Sequence, residues 1–237
     1  MEKKQCSLLE CVKIFPEFNS ERNSSKKEIR MEAEKCYTTT PQNGHILLRN
    51  AQIKTATGKT RLECFRLVKK EYIRSGYTFQ VKEKNNFFEN TEVFYAFNGN
   101  NISATISVVI DSFVGLPLDK IFKEKIEGYR KAQKKIAEVV MFATDANIVT
   151  NSKGLKTTAL RLISWVLQYS IKSGIDYLCI TVNPKHVRFY KFIGFDGNEN
   201  EIRIHPGAHA PAVFLNVNIK EWLEKRNLNP TIVNLIN

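Results

Sequence analysis

Asn183 to Phe195 reads N-P-K-H-V-R-F-Y-K-F-I-G-F, and the residues on either side of it set how it folds. The run before it, Tyr177 to Val182, is apolar and β-branched, the pattern of a buried strand. Asn183-Pro184 breaks that strand, and Pro184 suits the first position of a helix, where its missing N–H would have no partner anyway. Val187, Tyr190 and Phe192 share a helical face, and Gly194 predicts the stop. A strand, a helix of two or three turns and a Gly-Phe start of the next strand bring Tyr190 to the end of the first strand. There its ring either packs the helix on the sheet with the hydroxyl in water, or offers the hydroxyl to a reacting group.

Working outward, Ile136 to Thr144 (I-A-E-V-V-M-F-A-T) predicts a second, almost continuous apolar strand that carries one acid, Glu138. Between these strands, Lys153 to Ser173 predicts a long helix with Leu155, Ala159, Leu162, Ile163 and Val166 facing inward. Upstream, Thr91 to Asn98 and Ile102 to Ile110 are apolar strands joined by Asn98-Gly99-Asn100-Asn101, a hairpin signal because Asn and Gly tolerate positive φ. A loop from Asp111 to Pro117 then leads into a charged helix, Leu118 to Lys135. Leu62, Phe65, Val68 and Tyr72 place one stripe on a helix from Gly58 to Arg74, ended by Gly76. His45 to Lys54 predicts a strand or extended segment, and Tyr77 to Lys82 a short β-rich one. After Gly194, strands near Glu201 to His205 and over Pro211 to Val217 precede a capping helix with Trp222. Residues 1–40 mix a short amphipathic piece with a Ser-, Lys- and Glu-rich run, a mobile or weakly helical extension; one domain then spans 41–237.

With 237 residues, 43% of them hydrophobic, the chain can fill one large core. Its five cysteines are scattered without a C-x-x-C pair, as in the reduced thiols of a cytoplasmic protein. No apolar run approaches the ~20 residues of a membrane span, and the first residues lack a secretory pattern. The net charge is +12, and residues 1–40 hold eight Lys/Arg against seven Glu, so the excess sits on the body. A positive body favours an acidic partner: nucleic acid, an anionic membrane or an acidic carrier protein. The basic residues are neither interleaved with aromatics as a single-strand platform nor set on a recognition helix, so nucleic acid is not expected.

The unit carrying Asn183, Tyr190 and Gly194-Phe195 resembles the C-terminal pattern of the GCN5-related N-acetyltransferase superfamily. Three further stretches are similar to a narrower group, the long-chain N-acyl amino acid synthases (FeeM-type), related to the acyl-homoserine-lactone synthases. They are Ser107 to Asp119 (S-V-V-I-D-S-F-V-G-L-P-L-D), Ala137 to Asp145 (A-E-V-V-M-F-A-T-D) and Gly207 to Val213 (G-A-H-A-P-A-V). The pieces fall in the right order over roughly residues 45–220. The resemblance implies an α/β, acetyltransferase-like (acyl-CoA N-acyltransferase) fold, a central mixed twisted sheet flanked by helices. It also implies an enzyme that moves a medium- or long-chain fatty acyl group from an acyl-carrier-protein thioester to the amine of an amino acid or similar small molecule. Acyl-homoserine-lactone formation and acetyl-CoA-dependent N-acetylation are the enzymatic alternatives. A non-enzymatic basic adaptor for nucleic acid or an acidic protein is the alternative of a different class.

Making an amide from a thioester needs a neutral amine, a held carbonyl and a departing thiolate. A carboxylate, acting directly or through water, takes the amine proton. Glu138 is the candidate, since burial in an apolar strand would raise its pKa; the alternative is an outward-facing or ion-paired Glu. The resemblance implies that Tyr190 protonates the thiolate and that the two strands splay, exposing backbone N–H groups to the carbonyl oxygen. It places the donor arm along Met141, Ala143, Lys153, Gly154, Leu155, Asn183 and His186. Met141 stands where the family carries Arg. The superfamily's phosphate loop, Q/R-x-x-G-x-G/A, is reduced to Asn151-Ser152-Lys153-Gly154-Leu155-Lys156. Its N–H groups still suit a phosphate, but without the second glycine a diphosphate approaches less closely. That favours the single phosphate of a carrier-bound phosphopantetheine arm, with acyl-CoA as the other donor; no bound cofactor is implied. Lys123, Arg130, Lys131, Lys134 and Lys156 are candidates for docking an acidic carrier, or else the helix face they occupy is simply solvated. His186, His205 and His209 follow no metal-site spacing, so no metal is expected.

Overall fold

A computed structural model describes residues 52–147 and 152–226. The expected extension over residues 1–40, and the part of the first predicted strand from His45 to Ala51, lie outside the described residues. Seven strands, β1 (Gln52–Thr55), β2 (Thr91–Asn98), β3 (Asn101–Ile110), β4 (Ile136–Thr144), β5 (Tyr177–Val182), β6 (Ile202–His205) and β7 (Ala210–Asn218), form one sheet in the order β1-β2-β3-β4-β5-β7-β6. The helices among the described residues are α1 (Gly58–Arg74), α2 (Asp119–Lys131), α3 (Ser152–Lys172), α4 (Val187–Phe192) and α5 (Ile219–Arg226). β4 and β5 run parallel while the other neighbours are antiparallel, so the sheet is mixed. A parallel pair needs a crossover, and α3 supplies it.

Alternation along the strands sorts their side chains onto two faces. On one, Phe94, Ile106, Ala137, Leu178 and Val213 pack with Leu162 and Val166 of α3 and with Trp222 of α5. On the other, Val109, Ile136, Cys179 and Phe214 pack with Phe122 and Ile126 of α2, and Cys64 of α1 packs against Val93. β2 and β3 pair up to Asn98↔Asn101, which leaves Gly99-Asn100 as the turn, with Gly99 at φ +60°.

Two expectations are corrected. The helix expected over Leu118 to Lys135 ends at Lys131. Gln133 adopts φ +53° and Lys134 N–H bonds back to the Tyr129 carbonyl at 2.9 Å, the closure that ends a helix. Tyr77 to Lys82 forms no strand. Phe79 instead packs on Phe65 and Tyr72 of α1, with ring centroids 5.3 and 5.8 Å apart, which holds the segment against that helix rather than in the sheet.

Asn183 Oδ1 accepts from Lys185 N–H at 3.3 Å and caps the 3₁₀ turn Pro184–His186 that runs into α4. The chain leaves α4 through Gly194 at φ +105°, where a Cβ would lie 2.6 Å from Trp222 Cδ1. Trp222 cannot retreat freely, because its indole N–H donates to the Ile193 carbonyl at 2.9 Å. Gly194→Ala is therefore expected to cost about 2–4 kcal/mol, backbone strain and overpacking together. Urea unfolding checks this as a lower midpoint with an unchanged slope.

Candidate active site

β4 and β5 pair from Ile136↔Tyr177 to Val139↔Ile180, and no ladder joins them beyond. The reason lies on the far side of β4. Between Ser107↔Val140 and Thr105↔Ala143, β4 uses one residue more than β3, a bulge where Met141 takes φ +54°. β5 meanwhile stays paired with β7 as far as Val182↔Val213. One strand bends away while the other is held, and a slot opens between them. The slot-facing backbone groups of residues 140–142 and 181–182 belong to no ladder between these strands, so they can meet a carbonyl oxygen.

A cavity of about 300 Å³ passes through this slot: Val139 and Tyr190 line it on one face of the sheet, Glu138 and Ser107 on the other. Towards α1 its wall is apolar and aromatic, with Phe65, Val68, Phe79 and Phe88. Glu138 is 1% exposed. Its Oε2 accepts from Leu118 N–H at 2.8 Å and its Oε1 from the Thr181 hydroxyl at 3.4 Å. Burial pushes its pKa up to about 8 against the pull of these two donors. No cation among the described residues offsets that burial, and Met141 three residues on is apolar.

The D-S-x-x-G-L-P stretch holds the Leu118 donor in place. Arg130 makes paired hydrogen bonds to Asp111 and to Asp119, all at 2.8–2.9 Å, and reaches Glu127 at 3.1 Å. Asp119 Oδ2 also accepts from Leu116 N–H at 2.7 Å. Gly115 has φ +78°, and a Cβ there would sit 2.3 Å from that same oxygen. The loop is thereby closed on its own helix start, with Leu118 N–H turned to the carboxylate. Cys179 lies opposite Glu138 in the strand register, fully buried, and burial pushes its thiol pKa up. Cys64, which lines the cavity, is likewise buried, its pKa pushed up to about 11.

The other residues proposed from sequence fall as follows. Tyr190 lines the cavity on the face opposite Glu138, its ring set edge-on to Phe189 and Phe195 at 5.1 and 5.8 Å. Met141, Asn183 and His186 line it too, and burial holds the His186 pKa down at about 4, so its imidazole is neutral. Ala143 is buried in β4 opposite Thr105. Lys153, Gly154, Leu155 and Lys156 fall in the first turn of α3, and their side chains lie outside what is described. Lys123, Lys131 and Lys134 are exposed on or just after α2, whereas Arg130 is held by its carboxylates. Lys134 is 3.9 Å from Asp176, beside the starts of β4 and β5, and the slot opens where those strands finish. Among the described residues no three His, Cys, Asp or Glu side chains come together as a metal site, and no helix is long and apolar enough to cross a membrane. Sequence reasoning missed Thr181, the Leu118 amide and Arg61. Alternation from Cys179 would have placed Thr181 on the Glu138 face once the register was known.

The AHL synthase LasI shares this fold at 10% identity, over 72% of this chain and 91% of its own, with a TM-score of 0.50. Escherichia coli ElaA does so at 9% identity, over 71% and 99%, also with a TM-score of 0.50. FeeM, an N-acyl amino acid synthase from uncultured soil microbes, is 31% identical over 74% of this chain and 93% of its own, with a TM-score of 0.67. The mixed sheet and the likeness to FeeM define an acyltransferase of the acetyltransferase-like fold. Residues 63–218 match the family of the N-acyl amino acid synthase FeeM, and the chain belongs to that family. No curated protein matches the sequence.

The buried carboxyl has a consequence for stability that needs no substrate. Its pKa is raised from 4.5 to about 8 on folding, so the stabilisation of the protonated form is fully present below about 4.5 and is lost as pH rises through about 8. Glu138→Gln cannot ionise. Its melting temperature relative to the parent protein is expected to climb between pH 5 and 8 and to level off above, measured by thermal unfolding across a pH series.

Proposed function

We propose that this chain transfers a fatty acyl group from a carrier-protein thioester to the amine of an amino acid or a similar small molecule. One observation carries the reading: the cavity through the slot has the buried Glu138 on one side and an apolar, aromatic wall towards α1. The pantetheine arm lies in the slot, where it completes the unpaired edges of β4 and β5, and its single phosphate meets the N–H groups at the start of α3. The acyl chain takes the part of the apolar wall made by Phe65, Val68 and Phe79. Glu138, ionised, accepts a proton from the amine directly or through water. The amine nitrogen then attacks the thioester carbonyl carbon, whose oxygen is held by slot-facing N–H groups. The C–S bond breaks, the nitrogen gives up its second proton to solvent, and the thiolate leaves with a proton from the Tyr190 side of the slot or from solvent. Carrier docking belongs at the slot mouth, near Lys153 and Lys156 in the chain, and not at Lys131 and Lys134 beside the strand starts.

The test supplies carrier-bound and CoA-bound acyl donors with a mixture of amino acids and seeks N-acyl products by mass spectrometry. Product from the carrier donor is expected. Product from CoA alone would change the donor, and none from either overturns the proposal. Glu138→Gln is expected to lower kcat by roughly 10²–10³ with donor binding retained. In the parent protein kcat/KM is expected to rise with pH to a plateau above about 8, as Glu138 ionises. A profile with the same inflection in Glu138→Gln removes the residue from that role.

A further inference from the structure

We infer that Arg61 anchors a carboxylate of the acceptor, so that the site selects amino acids over plain amines; this rests on the acyltransferase reading above. Arg61 is the one lysine or arginine among the described residues that line the cavity. Its guanidinium is fixed in place. Nη2 donates to the Phe88 and Thr91 carbonyls at 2.8 and 2.7 Å, and the group lies over the Phe88 ring at 4.1 Å. Those bonds leave its charge unanswered, because no carboxylate among the described residues pairs with it. Glu83, which also lines the cavity, stands 4.0 Å from Arg66. The Nε–H of Arg61 is buried with no hydrogen-bond partner. A cation on the wall of a largely apolar cavity, with one buried donor unsatisfied and no carboxylate beside it, is stabilised by an anionic ligand in that cavity. The ligand that matches is an anion with planar oxygens, which an amino-acid acceptor carries and a simple amine does not.

Position agrees with this role. Thr91, whose carbonyl accepts from Arg61, pairs with Val109, and Val109 pairs with Glu138. Two strand spacings, ~10 Å, therefore separate the Thr91 and Glu138 backbones on one face of the sheet. An acceptor held by its carboxylate at Arg61 has its amine turned to the Glu138 side, where the proton is taken. Nothing on β4 competes for the carboxylate, since Met141 offers it no charge.

Matched pairs of probes decide it: leucine against isoamylamine for an α-carboxylate, and γ-aminobutyrate against butylamine for a distal one. Transfer from carrier-bound donor gives KM and kcat, and calorimetry on the full chain without donor gives binding. In Arg61→Met the preference for the carboxylated member of one pair is expected to fall by roughly 10- to 100-fold, mostly in KM. Arg61→Lys is expected to keep part of that preference. The pair that responds tells whether the carboxylate is the α one or a distal one. Equal weakening of both members in both pairs, or a parent protein that prefers neither acid, overturns the assignment and leaves Arg61 as a tie for the Phe88–Thr91 segment. If the parent protein transfers no acyl group, the transferase reading fails separately and calorimetry still decides Arg61. Weaker binding of an acid in a variant of unchanged melting temperature supports the anchor, and no binding of either acid to the parent protein refutes it.

Discussion

β4 has to satisfy two neighbours with different demands. It pairs with β3 from Ile110↔Ala137 to Ala104↔Thr144, but with β5 for four residue pairs only. The extra residue at Met141 reconciles these demands, because it lets the ladder to β3 resume while the strand turns away from β5. Such a gap inside a sheet leaves polar backbone groups without partners, which the fold tolerates where a ligand or water can meet them. β5 cannot follow β4 to close the gap, since its other edge is taken by β7 along its whole length. The slot, the cavity through it and the place of the buried Glu138 on its wall all descend from this mismatch.

Glu138 is tuned by competition between burial and donors. Removing a carboxylate from water outweighs what one amide N–H and one hydroxyl return, so the proton is held up to about pH 8. A paired cation would have opposed that burial, but Arg130, on the helix behind Leu118, is taken by Asp111 and Asp119. The loop that presents Leu118 thus keeps the cation on one side of the helix start and a carboxylate without one on the other. A group that changes protonation near neutrality is what amine activation asks of a base.

Much of the fold could be read from local pattern. The Asn-Gly hairpin, the stripe of α1, the apolar runs of β4 and β5 and the Pro184-to-Gly194 unit each depend on residues close in sequence. Glu138 stood out because it was the one acid in an apolar strand. What escaped depends on distant partners. Met141 looks like any strand residue, and the bulge exists because β3 and β5 pull β4 apart. Phe79 would have suited a strand, but α1 offered it two rings. Gln133 carries no helix-stop signal of its own. The basic cluster after α2 was visible as charge, yet the strand directions decide which end of the slot it faces. Arg61 was one cation in a helix until the Phe88–Thr91 segment folded over it.

Cys179 sits opposite Glu138 in the last stretch where the two strands remain joined, and Cys64 lines the cavity on its α1 side. Both sulfurs are held in the un-ionised form by burial. Electrophiles and peroxides attack the thiolate far faster than the thiol. One thiol lies next to the Glu138 carboxyl and the other on the cavity wall, yet burial makes both slow to react with oxidants and alkylating agents.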